Sequence, residues 1–328
     1  MNATVVGASG YSGRQLVSLL IQHPKINLVE VTSRAYSGKT VESCIPNLRG
    51  KTKGLVFTNP SIEELSKNSK CELFFLALPH GTAASYAIPL LEAGKKVIDL
   101  SADFRLLTPE CYEEFYGTPH PAPEWLKKAT YGLPEIHSFT WDDSPLIASP
   151  GCYPTSILIP LFPLLKDQLI EENDIVANSM SGVSGAGRTA SEKLLYCERN
   201  ESASAYGLPK HRHLSEIEEQ LSLAVTNKII ISFHPHLAPM NRGICSTISA
   251  RAKAGSTRKQ VWDCWNDFYR GRKFVHLLEE GEFPDVSHVV GTNRIDLSVN
   301  HDSRTGRFII CSEKTTCLKE LGDKPYRQ

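Results

Sequence analysis

The chain opens on a short apolar run, residues 3 to 6, followed by glycines at 7, 10 and 13 and then by leucines at 16, 19 and 20. An apolar run followed by helical spacing predicts a strand, a tight turn and an amphipathic helix with Leu16, Leu19 and Leu20 on one face. "INLVEVTSR" (26–34) reads as a second strand, and "CELFFLALPHG" (71–81) is almost wholly apolar, as a strand buried on both faces of a parallel sheet is. "TAASYAIPLLEAG" (82–94) has a helical pattern stopped by Gly94, and "KKVIDLSADFR" (95–105) is another strand. Strands alternating with helices predict an α/β chain with an N-terminal Rossmann-type doubly wound parallel sheet.

The pattern changes in the second half. "IVANSMSGVSG", "IIISFHPHL", "ICSTISARA" and "RIDLSVNHD" read as strands of a mixed, largely antiparallel sheet in an α+β substrate domain. The expected division is 1–147 for cofactor binding, 148–313 for catalysis, substrate and oligomerisation, and 314–328 as an atypical tail.

Composition narrows the function. The 328 residues suffice for one large or two ordinary domains, and 36 basic residues balance 36 acidic ones. That balance advertises neither a nucleic-acid partner nor an anionic membrane surface. The longest apolar run, "ILIPLFPLL" (157–165), holds two prolines and is too short to span a bilayer. No signal-peptide pattern precedes the first strand. Nine scattered cysteines without a C-x-x-C argue against a disulfide framework or a structural zinc site, so a cytoplasmic setting is expected.

Chemistry enters at seven places. Gly7, Gly10 and Gly13, with Ser9, Tyr11 and Ser12 between them, form a turn in which backbone approaches a pyrophosphate seated on a helix N-terminus. Ser33 and Arg34 end the second strand where NAD-binding units usually carry an acid, which predicts a 2′-phosphate and hence NADP(H). Pro79, His80 and Ser101 lie just past strand ends, where such sheets bind ligands. "SPGCYPTS" (149–156) sets Cys152 at a helix start, where the dipole and open N–H groups favour the thiolate. Cys44, Cys71, Cys111, Cys197, Cys245, Cys264, Cys311 and Cys317 read as buried fillers. A nucleophilic thiol needs a base, and "KHRHLSEIEEQL" (210–221) offers His211 and His213 just before a helix carrying Ser215, Glu216 and Glu218. A second cluster holds His234, His236 and Arg242, and its spacing matches no metal motif. Ser181, Gly182 and Gly185 belong to a second glycine-rich loop suited to closing over a nicotinamide.

Taken together these motifs resemble the N-acetyl-gamma-glutamyl-phosphate reductase family, related more distantly to aspartate-semialdehyde dehydrogenase. "GASGYSG", "TSR", "ALPHG", "IDLSADFRL", "YGLPE", "SPGCYPTS", "SGVSGAGR", "HRHLSEIEEQ", "PHLAPMNRGI" and "VVGTN" occur in the family's order over nearly the whole chain. The resemblance implies a Cys152 thioester formed from N-acetylglutamyl 5-phosphate with loss of phosphate, reduced by NADPH to the 5-semialdehyde, in arginine biosynthesis. It implies His211 or His213 as acid/base, and Arg105, Glu216, His236 and Arg242 on the substrate, an arginine fork matching phosphate or carboxylate. It also implies a homodimer or homotetramer with a small-molecule substrate and phosphate as the other partners. Three readings compete with it: reduction of another acyl phosphate (aspartyl or carrier-bound glutamyl), a silent NADP-binding homologue, and a cysteine hydrolase.

The resemblance breaks at the C-terminus. Similar chains continue with Asp-Asn-Leu-x-Lys-Gly-Ala-x-Gly-Gln-Ala-x-Gln, a helix returning to the nucleotide domain, where this one reads "EKTTCLKELGDKPYRQ". Read one frame over from codon 314, permitted codons give Asp-Asn-Leu-Leu-Lys-Gly-Ala-Gly-Gly-Gln-Ala-Val-Gln. The expectation is a frameshift near that codon, in the organism or in the recorded sequence, which DNA sequence across it decides. A real frameshift predicts weakened NADP binding, low or absent turnover, a mostly retained fold and a poorly ordered tail.

Overall fold

The computed structural model describes residues 1–139 and 144–315. The atypical tail from 316 onward, Cys317 included, lies outside the described residues. The described chain falls into two compact units, Met1–Pro150 and a second beginning at Gly151.

The first unit is built on one sheet of β1 (Asn2–Val6), β2 (Asn27–Thr32), β3 (Phe57–Thr58), β4 (Leu73–Leu76), β5 (Lys96–Asp99), β6 (Thr130–Tyr131) and β7 (Leu146–Ala148). Its order is β3-β2-β1-β4-β5-β7-β6, with every pair parallel. The winding reverses between β1 and β4, and in such sheets the crevice beyond the strands' carboxyl ends at that point receives the ligand. All four residues of β4 are buried, as its unbroken apolar run requires. The Tyr11–Ile21 helix buries Gly13, Leu16, Val17 and Leu20. Leu19, expected on that face, is only half-buried, because the row that starts at Gly13 continues through 16, 17 and 20.

The second unit carries β8 (Ile175–Ser181), β9 (Ser204–Ala205), β10 (Ile231–Leu237), β11 (Ile244–Arg251), β12 (Val275–Leu277), β13 (Ile295–Asp302) and β14 (Arg307–Lys314). They lie in the order β12-β13-β14-β11-β8-β10-β9, parallel at β8/β10 and β12/β13 and antiparallel elsewhere. The expected pairing of a doubly wound parallel sheet with a mixed, largely antiparallel one is therefore what forms. One face of the second sheet, with Ala177, Ile248, Ile310 and Leu297, is buried and packs on the Cys152–Lys166 helix, whose residues from Tyr153 to Leu165 are all buried. That helix contains Pro160 and Pro163. Pro163 cannot donate to the Ile159 carbonyl, and the Tyr269 hydroxyl donates there instead. The apolar run "ILIPLFPLL" is thus a buried helix, and no helix among the described residues is long and apolar enough to cross a membrane. All cysteines in the described residues are free thiols; of those expected to be buried only Cys71 is, Cys44, Cys111, Cys245, Cys264 and Cys311 being half-buried and Cys197 exposed on the short Tyr196–Arg199 helix.

The opposite sheet face hides a carboxyl group whose titration should be visible. Glu313 stands directly across from Asp296 in the β13/β14 register and from Cys245 in the β11/β14 register. Both acids are buried, and Arg294 pairs with Asp296 at 2.7 Å. Burial, then the charges of Asp285 and Asp296 against a hydrogen bond from Cys245, push the Glu313 carboxyl up to about 8. A folded pKa above the unfolded one means that this group's contribution is intact below the usual carboxylate range and lost as pH rises to about 8. Glu313→Gln should therefore flatten the fall in Tm between pH 5 and pH 9, with a gain of ~3 °C or more at the alkaline end. Scanning calorimetry of both proteins across that range checks this, and parallel Tm curves would refute it.

Candidate active site

In the first unit, Gly7 has φ +81° and a Cβ there would lie 2.4 Å from the Ala77 carbonyl oxygen. A Cβ on Gly13 would sit 2.4 Å from the Gly7 oxygen and 2.7 Å from Ala8 Cα, whereas one on Gly10 would meet only the Gly7 oxygen at 3.7 Å. Gly7 thus makes the turn, Gly13 lets helix and strand touch, and Gly10, the N-cap of the Tyr11–Ile21 helix, leaves open space before it. These are the requirements of a pyrophosphate cradle, and the residues fit a dinucleotide. Ser33 donates to Ser9 Oγ at 2.9 Å, tying the end of β2 to this turn, while Arg34 is exposed beside it.

Pro79 and His80 are exposed past β4, His80 facing the Tyr116 ring. Their loop is held by a residue the sequence did not flag. Asp103, fully buried, accepts the Gly81 N–H at 2.7 Å and the Ala84 N–H at 3.0 Å, capping the Ala83–Glu92 helix that its own N-cap Thr82 leaves uncapped. Ser101 is buried and its hydroxyl works inside this turn, donating to Asp99 at 2.7 Å and accepting from Asp103 N at 3.0 Å. Burial pushes the Asp99 carboxyl up to about 6, against the hydrogen bonds from Ser101. Arg105 is buried and gives Nε to the Ser149 carbonyl at 2.7 Å and Nη2 to the Leu100 carbonyl at 3.0 Å. Much of that guanidinium therefore braces backbone.

In the second unit, Cys152 is the first residue of its helix and half-buried, with Gly151 as N-cap and Pro154 in the first turn. The turn is braced below by hydroxyls: Ser156 donates to the Tyr153 carbonyl at 2.8 Å and meets Ser246 at 2.9 Å, which meets Ser179 at 2.7 Å. Above it lies an aromatic group. Tyr153 faces His211, His213 and Phe233 at ring separations of 5.7, 5.9 and 5.2 Å, and His211 and His213 are 5.0 Å apart. Tyr206 donates to the Tyr153 hydroxyl at 3.0 Å, which donates on to the His236 carbonyl at 3.3 Å. Burial raises both phenols, Tyr206 to about 12, and a charge on Cys152 adds to each shift. Tyr153 and Tyr206 were not singled out by sequence; only the first is adjacent to the cysteine.

The two histidines differ. The helix runs Arg212–Ser222, so His211 is its N-cap and His213 lies in its first turn, not ahead of it. His211 Nδ1 accepts the His213 N–H at 3.1 Å, so a neutral His211 carries its proton on Nε2. Burial, then the charge of Arg212, lowers its pKa to about 4. Glu216 is buried in the same helix and accepts the Gly151 N–H at 2.8 Å. His236 donates Nδ1–H to the His234 carbonyl at 3.1 Å. Ser181 and Gly182 are buried and Gly185 exposed. Their loop is zipped to the 238–243 segment by Gly182 N to Gly243 O at 3.0 Å and Ser184 N to Asn241 O at 3.1 Å, so this part is pinned within the second unit. Gly182 is required there because a Cβ would meet Arg242 N at 2.8 Å. Among the described residues no three His, Cys, Asp or Glu side chains gather to hold a metal ion.

Two family models match the chain: "semialdehyde dehydrogenase, NAD binding domain" over residues 2–143 and "semialdehyde dehydrogenase, dimerisation domain" over residues 152–314. The N-acetyl-gamma-glutamyl-phosphate reductase of Akkermansia muciniphila is 47% identical over 323 residues, covering 98% of this chain and 93% of that protein. That of Geobacter metallireducens is 45% identical over 320 residues, covering 97% and 91%. Among solved structures, aspartate semialdehyde dehydrogenase II from Vibrio cholerae superposes with a TM-score of 0.71 at 16% identity, covering 98% of this chain and 96% of that one. Aspartate semialdehyde dehydrogenase with NADP from Candida albicans gives 0.67 at 15% identity, covering 98% and 95%.

Proposed function

Because the chain belongs to the N-acetyl-gamma-glutamyl-phosphate reductase family, we propose that it reduces N-acetyl-L-glutamyl 5-phosphate to N-acetyl-L-glutamate 5-semialdehyde, with release of phosphate, in arginine biosynthesis. The observation that carries this reading is Cys152 at the first position of a buried helix whose next residue, Tyr153, packs against His211 and His213. The Cys152 thiolate attacks the acyl carbon, the bond to the phosphate oxygen breaks, and a thioester remains. A bound NADPH would supply the hydride, which adds to the thioester carbon to give a hemithioacetal oxyanion. The carbon–sulfur bond then breaks, the aldehyde leaves and the thiolate is restored. Residues 1–147 hold the cofactor in this reading and residues 148–313 the substrate.

Arg34, exposed at the end of β2 with no acid at positions 32 to 34, supports NADP over NAD. Arg242, half-buried next to the Gly182 loop, supports anion binding, since an arginine fork matches phosphate or carboxylate. The description of residues 152–314 as a dimerisation domain supports a homodimer or homotetramer.

The proton assignments follow from the two imidazoles. His211, held neutral as a helix cap, serves as a fixed Nε2–H donor, and His213 is the acid/base. Phosphate-dependent reduction of NADP⁺ by N-acetylglutamate 5-semialdehyde tests both the substrate and this division. His213→Asn should lower kcat/KM by about 10²-fold or more and erase one limb of the pH profile. His211→Asn, which keeps a side-chain cap, should lower the rate but retain the limb. No turnover by a chain with the family's C-terminal segment restored in frame would defeat the substrate reading, and loss of the limb in His211→Asn would reverse the assignment.

A further inference from the structure

We infer that Glu216 is a positioning residue that completes the N-terminus of the Cys152 helix from another helix and ties that turn to the histidine pair. This deepens the thioester reading above and rests on it.

A helix start is ordinarily closed by its own residues. The N-cap side chain accepts an N–H two or three residues on, and in a capping box a Glu or Gln at the third helical position accepts the N-cap's own N–H. Neither is available here. The N-cap is Gly151, with no side chain and no side-chain cap, and the third position is Pro154. The carbonyl side of Gly151 is satisfied locally, by Thr155 N at 3.0 Å and Thr155 Oγ1 at 2.8 Å. Its N–H is taken by Glu216 Oε1 at 2.8 Å, from a side chain 65 residues further on and 2% exposed. Both hydrogen-bonding groups of the residue before Cys152 are therefore held, one of them across two helices.

The clamp belongs to the Arg212–Ser222 helix, whose N-cap is His211 and whose first turn holds His213. Residues three apart share a helix face, so Glu216 and His213 stand one turn apart on one side. The helix that carries the histidines thus also holds the turn that presents Cys152, and Glu216 sets their spacing. This differs from the sequence-based expectation that Glu216 contacts substrate.

The amide of Gln also offers an oxygen acceptor, so it preserves a backbone clamp while removing charge. Two readouts on the full chain separate the roles: kcat and KM in the phosphate-dependent reaction, and the rate at which iodoacetamide alkylates Cys152, followed on its peptide. Glu216→Gln should stay within about threefold of the parent in both. Glu216→Ala should lose about 10²-fold in kcat with KM within about threefold, as a misplaced reacting group does, and its Cys152 should alkylate several-fold more slowly. A tenfold rise in KM for both variants with unchanged alkylation would assign Glu216 to the substrate and overturn the inference, as would equal kcat losses in both. If the parent shows no turnover, alkylation still decides: a slower Ala than Gln variant sustains the clamp, and equal rates refute it. If the Ala variant unfolds, the Gln variant with parental Tm and kinetics sustains the clamp, and one with tenfold lower kcat refutes it.

Discussion

Cys152→Ala should lower turnover by at least about 10⁴-fold while leaving the fold and cofactor binding in place. In the proposed reaction the thiol is the atom that bonds to substrate, so nothing else in the turn substitutes for it. Its loss removes little packing, because Cys152 is half-buried while its helix is anchored from Tyr153 to Leu165. The thiolate has support that Cys245 and Cys264 lack. It begins a helix, where the dipole favours an anion, whereas Cys245 and Cys264 are pushed well above the usual thiol range, first by burial and then by neighbouring acids. Comparing Tm, cofactor affinity and steady-state rates of the two proteins checks this. Residual turnover within tenfold of the parent would remove Cys152 from the chemistry.

Gly13→Ala should disable the first unit by a different route. The added Cβ would meet Gly7 O at 2.4 Å and Ala8 Cα at 2.7 Å, and both are backbone. The helix must then move off the Gly7–Ala8 turn, and overpacking of this kind costs about 1–3 kcal/mol. In the proposed reading the helix N-terminus is half of the pyrophosphate cradle, so NADP⁺ affinity should fall at least tenfold along with Tm. Gly10→Ala is the control. Its Cβ has ordinary contact at 3.7 Å and its φ of −68° suits any residue, so Tm should stay within about 1 °C. Fluorescence titration with NADPH and thermal melts of the pair measure both effects. Equal stability of the two variants would show that the turn yields more easily than its backbone contacts indicate.

Much of this was legible in the residues because the signals are local. The glycine turn, the apolar β4 and the helix between β4 and β5 are each written in one contiguous stretch, and the strand–helix alternation follows from them. The same holds for Cys152, whose Pro-Gly context and following Pro154 mark a helix start. Legibility ends where partners are distant or elements too short for periodicity. β3, β6, β9 and β12 have two or three residues each, so no alternation exists to read. The start of the Arg212–Ser222 helix was placed too late because its cap is an imidazole accepting an N–H, not a Ser, Thr, Asp or Asn. Asp103 and Glu216 each cap a helix in another part of the chain, and Tyr206 reaches Tyr153 across 53 residues. Such pairings arise from packing of the sheet and helices, and a single sequence holds no local trace of them.

The most direct test of the account is to mix the full chain with N-acetylglutamyl 5-phosphate in the absence of cofactor and map the product by peptide mass spectrometry. The account predicts one N-acetylglutamyl group, on the peptide containing Cys152, discharged when NADPH is added. Turnover without that adduct, or the adduct on another cysteine, would contradict it.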